Sequence, residues 1–162
     1  MRFSIEPVGH VRVDAAADVV KTQWDTLVSR IEILPEFEDA LTAIDGFSHL
    51  IVLSFLDRVS DEDRAVLMVR PRGLLRMGLS LEELPEIGVF ACDSPVRPNP
   101  IGVSVVEVIG RQGRFLRVRG LDLFDGTPIV DMKPFTPDRS VATIRVPEWQ
   151  SELTRKTNAK RV

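Results

Sequence analysis

Between residues 87 and 132 the chain reads as strand after strand, and that density of β pattern in 162 residues narrows the possible folds more than any other feature. Residues 87–91, 103–109, 115–119 and 128–132 are β-branched or alternating runs. A proline-rich loop, a hairpin at 110–113 and a tight Asp125-Gly126 turn part them. Further strands are expected in 5–13, at 31–33, at 49–56 and at 65–70, the last ending at Pro71. The near-continuous apolar run 49–56 predicts a strand buried on both faces.

Helical signals are fewer. Residues 35–41 read as a helix with Pro35 in its first turn, and 61–63 as a helix start. The stretch 14–30 is either a helix or a mobile loop over a site. No βαβ alternation and no G-x-G-x-x-G occurs, so a Rossmann fold is not expected. The expectation is a mainly β chain with some α: one β-barrel-like domain over residues 1–140. A partly ordered C-terminal extension, 141–162, follows it, with the polar, basic stretch 154–161 fraying.

Counting removes several classes of function. Cys92 is the single cysteine, so no internal disulfide forms, and no C-x-x-C or His/Cys cluster is present to hold zinc. His10 and His49 stand far apart in sequence. No apolar run reaches a membrane span and no signal-peptide apolar region is found, so the expectation is a cytoplasmic protein with neither membrane nor metal partner. The formal net charge of -3 argues against a nucleic acid held by bulk positive charge. It does not argue against local contacts: 17 of the 21 basic residues are arginine, suited to bidentate phosphate recognition. These gather at 58–76 and 111–119, whereas acids crowd 32–45.

The informative segment is Gly88-Val89-Phe90-Ala91-Cys92-Asp93-Ser94-Pro95-Val96-Arg97-Pro98-Asn99-Pro100-Ile101-Gly102. Three prolines fix φ and remove donors, so the loop presents Asp93, Arg97 and Asn99 at low entropic cost, with Gly102 expected to let the chain turn into the next strand. The segment resembles the A-T-R-S-P-x-R-P-N-P-I-G signature of the TsaA-like, or TrmO, family of S-adenosylmethionine-dependent tRNA methyltransferases. Further similarities follow in family order. They are Gly46-Phe47-Ser48-His49-Leu50, Arg70-Pro71-Arg72-Gly73, Leu121-Asp122-Leu123-Phe124-Asp125-Gly126-Thr127-Pro128 and Asp131-Met132-Lys133-Pro134-Phe135. The matches run from about Gly9 to Pro137.

The resemblance implies a β-barrel-like homodimer that binds S-adenosyl-L-methionine near the subunit boundary. It further implies methylation of N6 of threonylcarbamoyladenosine at position 37 of tRNA. By the same resemblance the cofactor-binding residues are Asp57, Arg58, Phe90, Ala91, Cys92, Asp93, Arg97, Val103, Gly120, Leu121 and Asp122. An exocyclic amine is a weak nucleophile, so a carboxylate that orients it and takes its proton is wanted, and Asp122, Asp125 and Asp131 are the candidates. Each has a structural alternative. Asp125 before Gly126 is what a turn asks for, and Asp131 with Lys133 reads equally as an ion pair.

Elsewhere the structural reading leads. His49 reads as a core histidine bonded to backbone ahead of a proton-transfer group, and Cys92 as a small hydrophobe. Arg111, Arg114, Arg117 and Arg119 are an RNA face or the solvated side of a hairpin. Three positions depart from the family pattern: Asp93 where Arg is usual, Asp57 where His is common, and Phe135 for Tyr in a chain without tyrosine. The alternatives kept are the same cofactor-binding barrel acting on another substrate, and a non-catalytic binding module.

Overall fold

In the computed structural model, which describes residues 4–160, the strands β1 (Gly9–Arg12), β2 (Val28–Ile33) and β3 (His49–Phe55) lead into a second set. After two short strands, β4 (Met68–Val69) and β5 (Ile87–Gly88), come β6 (Ile101–Gln112), β7 (Phe115–Arg119) and β8 (Pro128–Pro134). Six of them close a barrel in the order β1-β2-β7-β6-β3-β8, with every pairing antiparallel. The expected mainly β, non-Rossmann barrel is what forms. The chain divides into two compact units: one up to Arg58 together with Ile101–Ser140, the other Val59–Pro100 with the segment from Val141 onward.

In the first unit the period-2 alternation of the strands sends one set of side chains inward. Ile31 and Ile33 of β2, Leu50 and Val52 of β3, Val106 of β6 and Leu116 and Val118 of β7 fill the barrel with Val11, Leu121 and Ile129. At roughly 25 cal/mol per Å² of apolar surface, each such side chain stabilises the fold by about 1.5–3 kcal/mol. β3 corrects an expectation. Leu50, Val52 and Ser54 point in, but His49 is exposed and Ile51, Leu53 and Phe55 are only half-buried. An antiparallel barrel wall has an inside and an outside, and here the outside is apolar as well: Ile101, Val103 and Val105 of neighbouring β6 are 39%, 65% and 47% exposed.

The junction of β3 and β6 also explains Gly102, which makes no turn. It pairs with Ser54, and a Cβ on it would lie 2.4 Å from the Ser54 Oγ. Only a bare backbone lets the two strands approach. The β6–β7 hairpin turns at Gly113-Arg114 rather than at 110–113, because β6 runs on to Gln112 past a register shift between Val108 and Gly110. Between β1 and β2 lies a short helix, α1 (Ala17–Gln23), whose Val20 is 1% exposed in the barrel core. Residues Pro35–Leu41 form a 3₁₀ helix with Pro35 at its start.

The second unit holds α2 (Asp61–Arg64), where the Ser60 Oγ accepts from the Asp63 amide at 3.1 Å, and α3 (Glu148–Ala159). β4 and β5 pair over two residues each, less than the expected 65–70 and 87–91. Leu79, Leu84 and Leu153 pack together with Leu74 and Trp149 as its core. Thr154–Ala159 therefore does not fray. Leu153 anchors the helix, and Lys160 donates to the Gly78 carbonyl at 2.7 Å and to Glu83 at 3.2 Å. The Ser80 amide first, and Lys160 next, hold the Glu83 carboxyl below its usual range. Arg161, the end of the expected fraying stretch, lies outside the described residues.

Candidate functional site

Antiparallel closure fixes which segments meet. β1, β3 and β7 run toward the same end of the barrel, from which β2, β6 and β8 start back. Residues 13–27, the exit Leu56-Asp57-Arg58 and the connection 120–127 therefore share one rim. Asp57, Arg58, Gly120, Leu121, Asp122 and Asp125 come together there.

The 120–125 connection is held from both sides. Leu121 and Leu123 are 0% and 5% exposed in the core, so the alternate residue Asp122 is turned outward. The Ser104 hydroxyl donates to Asp122 Oδ1 at 2.7 Å, fixing one carboxylate oxygen and leaving the other without a partner among the described residues. Gly120 has φ +87°, a left-handed conformation that other residues adopt at a cost. Asp125 Oδ1 accepts the Val13 amide at 3.0 Å, while Arg58 Nη2 donates to the Asp125 carbonyl at 3.1 Å. Between them the Phe124 ring takes two cations, the Arg58 guanidinium at 4.6 Å from its centroid and the Lys21 ammonium at 5.5 Å. Such contacts contribute about 0.5–1 kcal/mol each at exposed sites. Lys21 lies on α1, so of the stretch 14–30 only Ala17–Gln23 is helical, tied to this rim, while its end, 28–30, already belongs to β2. Asp57, by contrast, is exposed and its carboxylate makes no ion pair among the described residues.

Two of the expected site residues lie on the barrel wall rather than the rim. Asp131 and Val103 stand on either side of Leu53, their common partner in register. Asp131 pairs with Lys133 at 2.5 Å and accepts the Met132 amide at 2.8 Å, so the ion-pair alternative describes it. His49 is exposed and its Nδ1 meets the Ser48 hydroxyl at 3.0 Å, not a buried backbone group. A strand's first residue escapes the core when its side chain falls on the outer face.

The proline-rich loop belongs to the second unit. Val89–Ala91 is one 3₁₀ turn, and Phe90 on it is 84% exposed. Arg97 folds back into the loop. Its Nε donates to the Ser94 carbonyl at 2.8 Å and its Nη2 to Val89 at 2.9 Å and to Cys92. The guanidinium, with its rigid fork of donors, thus satisfies three carbonyls that the prolines' missing amides leave free. Cys92 is half-buried and its Sγ faces the Val89 carbonyl at 3.8 Å. A cavity of about 770 Å³ opens beside this loop. Arg70, Arg72 and Gly73 line one part of it, Cys92, Asp93 and Val96 another. Two segments quoted for the family resemblance thereby meet in one concavity.

Ser104, Val13, Lys21 and Phe124 were not foreseen. Ser104 had a signal, a lone hydroxyl at an inward position of an apolar strand, where burial demands a partner. The cation pair on Phe124 had none, since its members are far apart in sequence. Among the described residues no cluster of three or more His, Cys, Asp or Glu could hold a metal ion, and no helix is long and apolar enough to cross a membrane.

The chain is similar to several known proteins. A model of the tRNA-methyltransferase O N-terminal domain matches residues 20–140. The "Probable S-adenosyl-L-methionine-binding protein" of Archaeoglobus fulgidus is 51% identical over 106 residues, 65% of this chain and 26% of its own length. The tRNA (adenine(37)-N6)-methyltransferase of Escherichia coli is 41% identical over 103 residues, 61% of this chain and 40% of that protein. A crystal structure of TrmO is similar with a TM-score of 0.68 at 31% identity, over 90% of this chain and 64% of that one. The chain thus spans less than two thirds of the length of each of these three relatives.

Proposed function

The chain belongs to the family of tRNA-methyltransferase O, by its N-terminal domain, and from that membership we propose that it transfers a methyl group from S-adenosyl-L-methionine to N6 of threonylcarbamoyladenosine at position 37 of tRNA. The observation that carries the reading is Asp122: an outward carboxylate, one oxygen held by Ser104, on a loop pinned by two core leucines at the rim that also bears Asp57 and Arg58.

The residues present suit the cofactor. Bound there, S-adenosyl-L-methionine supplies an electrophilic methyl carbon on a positively charged sulfur. Asp57 and the free oxygen of Asp122 complement positive charge, and Gly120 bares backbone for a close approach. Ser104 orients Asp122 so that its second oxygen accepts a hydrogen bond from N6–H, aiming the nitrogen lone pair. Transfer would break the methyl–sulfur bond, leaving a neutral thioether, as the N–C bond forms; the nitrogen would become acidic and Asp122 would take its proton. Asp125 and Arg58 keep the loop and the exit of β3 in register, and Arg97 sets the proline-rich loop. The exposed apolar row Ile101, Val103 and Val105 supports a homodimer, and the chain is read as cytoplasmic.

Mass spectrometry of nucleosides from tRNA incubated with protein and cofactor tests the activity. Methylated threonylcarbamoyladenosine is expected, and Asp122→Asn should lower its formation about 10²-fold or more at saturating cofactor. No methylation by the parent protein would end the reading. Asp93 at the edge of the cavity favours a second one, the same cofactor with another substrate, which predicts methyl transfer to cell extract but not to tRNA.

A further inference from the structure

Three arginines face one another across the outer wall of the barrel. Register places Arg12 of β1 opposite Arg30 of β2, and Arg30 opposite Arg117 of β7. All three are exposed. Facing residues on adjacent strands stand about 5 Å apart, so the row concentrates three positive charges in a band roughly 10 Å wide. Like charges directly opposite each other destabilise a sheet, and proteins ordinarily avoid them by alternating sign.

Acids relieve only the Arg12 end of this row. Glu32 pairs with Arg12 at 2.6 Å, but its other oxygen is committed to Arg114 at 2.7 Å. Arg119 is paired with Glu107 and Arg111 with Asp45. Arg30 and Arg117 make no ion pair or hydrogen bond among the described residues. In a chain with 24 acidic and 21 basic residues, the charges of Arg30 and Arg117, side by side on one sheet face with no acid against either, are a local property that net charge conceals. Of the four hairpin arginines considered from sequence, only Arg117 belongs to it.

We propose that the Arg12, Arg30 and Arg117 row is a docking strip for the phosphate backbone of the RNA substrate. This rests on the reading of the chain as an RNA methyltransferase and adds the surface that holds the strand. Charge complementarity names the occupant, since the planar guanidinium fork matches phosphate oxygens. Position agrees. Arg117 lies three residues before Gly120, about 10 Å along β7 at 3.3 Å per residue. Arg12 directly precedes Val13, whose amide Asp125 holds. A backbone lying on the strip therefore leads to the rim that carries Asp122. Contacts of this kind position the strand and read no sequence.

Equilibrium binding of tRNA to the full chain without cofactor, measured across a range of salt, tests the strip. For Arg30→Gln combined with Arg117→Gln, the slope of log affinity against log salt should become shallower by about 1.4–1.8, as two lost phosphate contacts require. The thermal midpoint should hold or rise, because a like-charge pair has been removed, whereas a merely structural role would lower it. Arg111→Gln, near the opposite end of the barrel, should leave the slope unchanged. The strip is overturned if the double variant keeps the parent slope, if the parent protein does not bind tRNA, or if an acidic polypeptide such as polyglutamate binds the parent as tightly as tRNA does. Methyl transfer measured alongside separates the two readings: tRNA binding through the strip without methylation refutes only the activity, and unchanged KM for tRNA in an active double variant refutes only the strip.

Discussion

Asp125 can be assigned to structure or to chemistry by one pair of substitutions. Its Oδ1 accepts the amide of Val13, a residue 8% exposed, at 3.0 Å. Asp125→Ala strands that donor, whereas the Arg58 bond to the backbone carbonyl and the Gly126 amide bond to the Val11 carbonyl, 2.9 Å, survive. Hydrogen bonds to a charged group contribute about 1.5–3 kcal/mol. Because Asp125 is exposed, screening brings the expected loss down to about 1–2 kcal/mol. At about 2–4 °C per kcal/mol for a chain of this size, the thermal midpoint should fall by about 2–8 °C. Asp125→Asn keeps an acceptor in the same place and should recover most of that loss, with methyl-transfer rates within about threefold of the parent below the melting range. Calorimetry and single-turnover methylation on the three proteins decide. If Asn melts like the parent but loses the 10²-fold or more that a general base contributes, Asp125 is the base and the assignment to Asp122 is wrong. If Asn and Ala melt alike, the Val13 bond is not what holds the loop.

Two further outcomes follow from the described contacts. Arg97→Met removes the donors to the Val89, Cys92 and Ser94 carbonyls, so chymotrypsin cleavage after the exposed Phe90 should speed several-fold while β-barrel circular dichroism is retained; unchanged cleavage would show that the prolines alone set the loop. Arg12, and then Arg114, hold the Glu32 carboxyl below its usual range. With its folded pKa depressed, the group favours the folded state above the unfolded value of about 4.3, and that contribution fades as pH falls through the lower folded value. Urea midpoints of Glu32→Gln should therefore lie below the parent's at pH 7 and converge with it toward pH 3, and a constant gap would contradict the pairing.

Much of the barrel was legible because its strands advertise themselves. Phe115 to Arg119 alternates as a one-sided sheet must, Val103 to Ile109 is rich in β-branched residues, and the structure pairs the two as a hairpin. The run at His49 to Leu56 misled because apolar composition records how much apolar surface a strand carries, not which face a neighbour covers. In the second unit the signal fails for another reason: Leu79 and Leu84 are completed by Leu153, a partner about seventy residues away that no local window contains. The rim residues were found as motifs, yet their roles were not. Asp125 reads from sequence as a turn residue or a functional contact, and its Val13 partner, the Ser104 hold on Asp122 and the inward fold of Arg97 depend on three-dimensional closure that spacing does not encode.

The interleaving of the two units dictates how the chain must fold. β1 pairs with β8, so the barrel cannot close before the ribosome has delivered Pro128 and Ile129. The other unit waits longer, because the leucines of its first segment are covered only when α3 emerges. Neither unit can finish vectorially, and folding is dominated by distant contacts of the slow kind. Residues 148–159 should accordingly matter to soluble yield far more than their polar composition suggests.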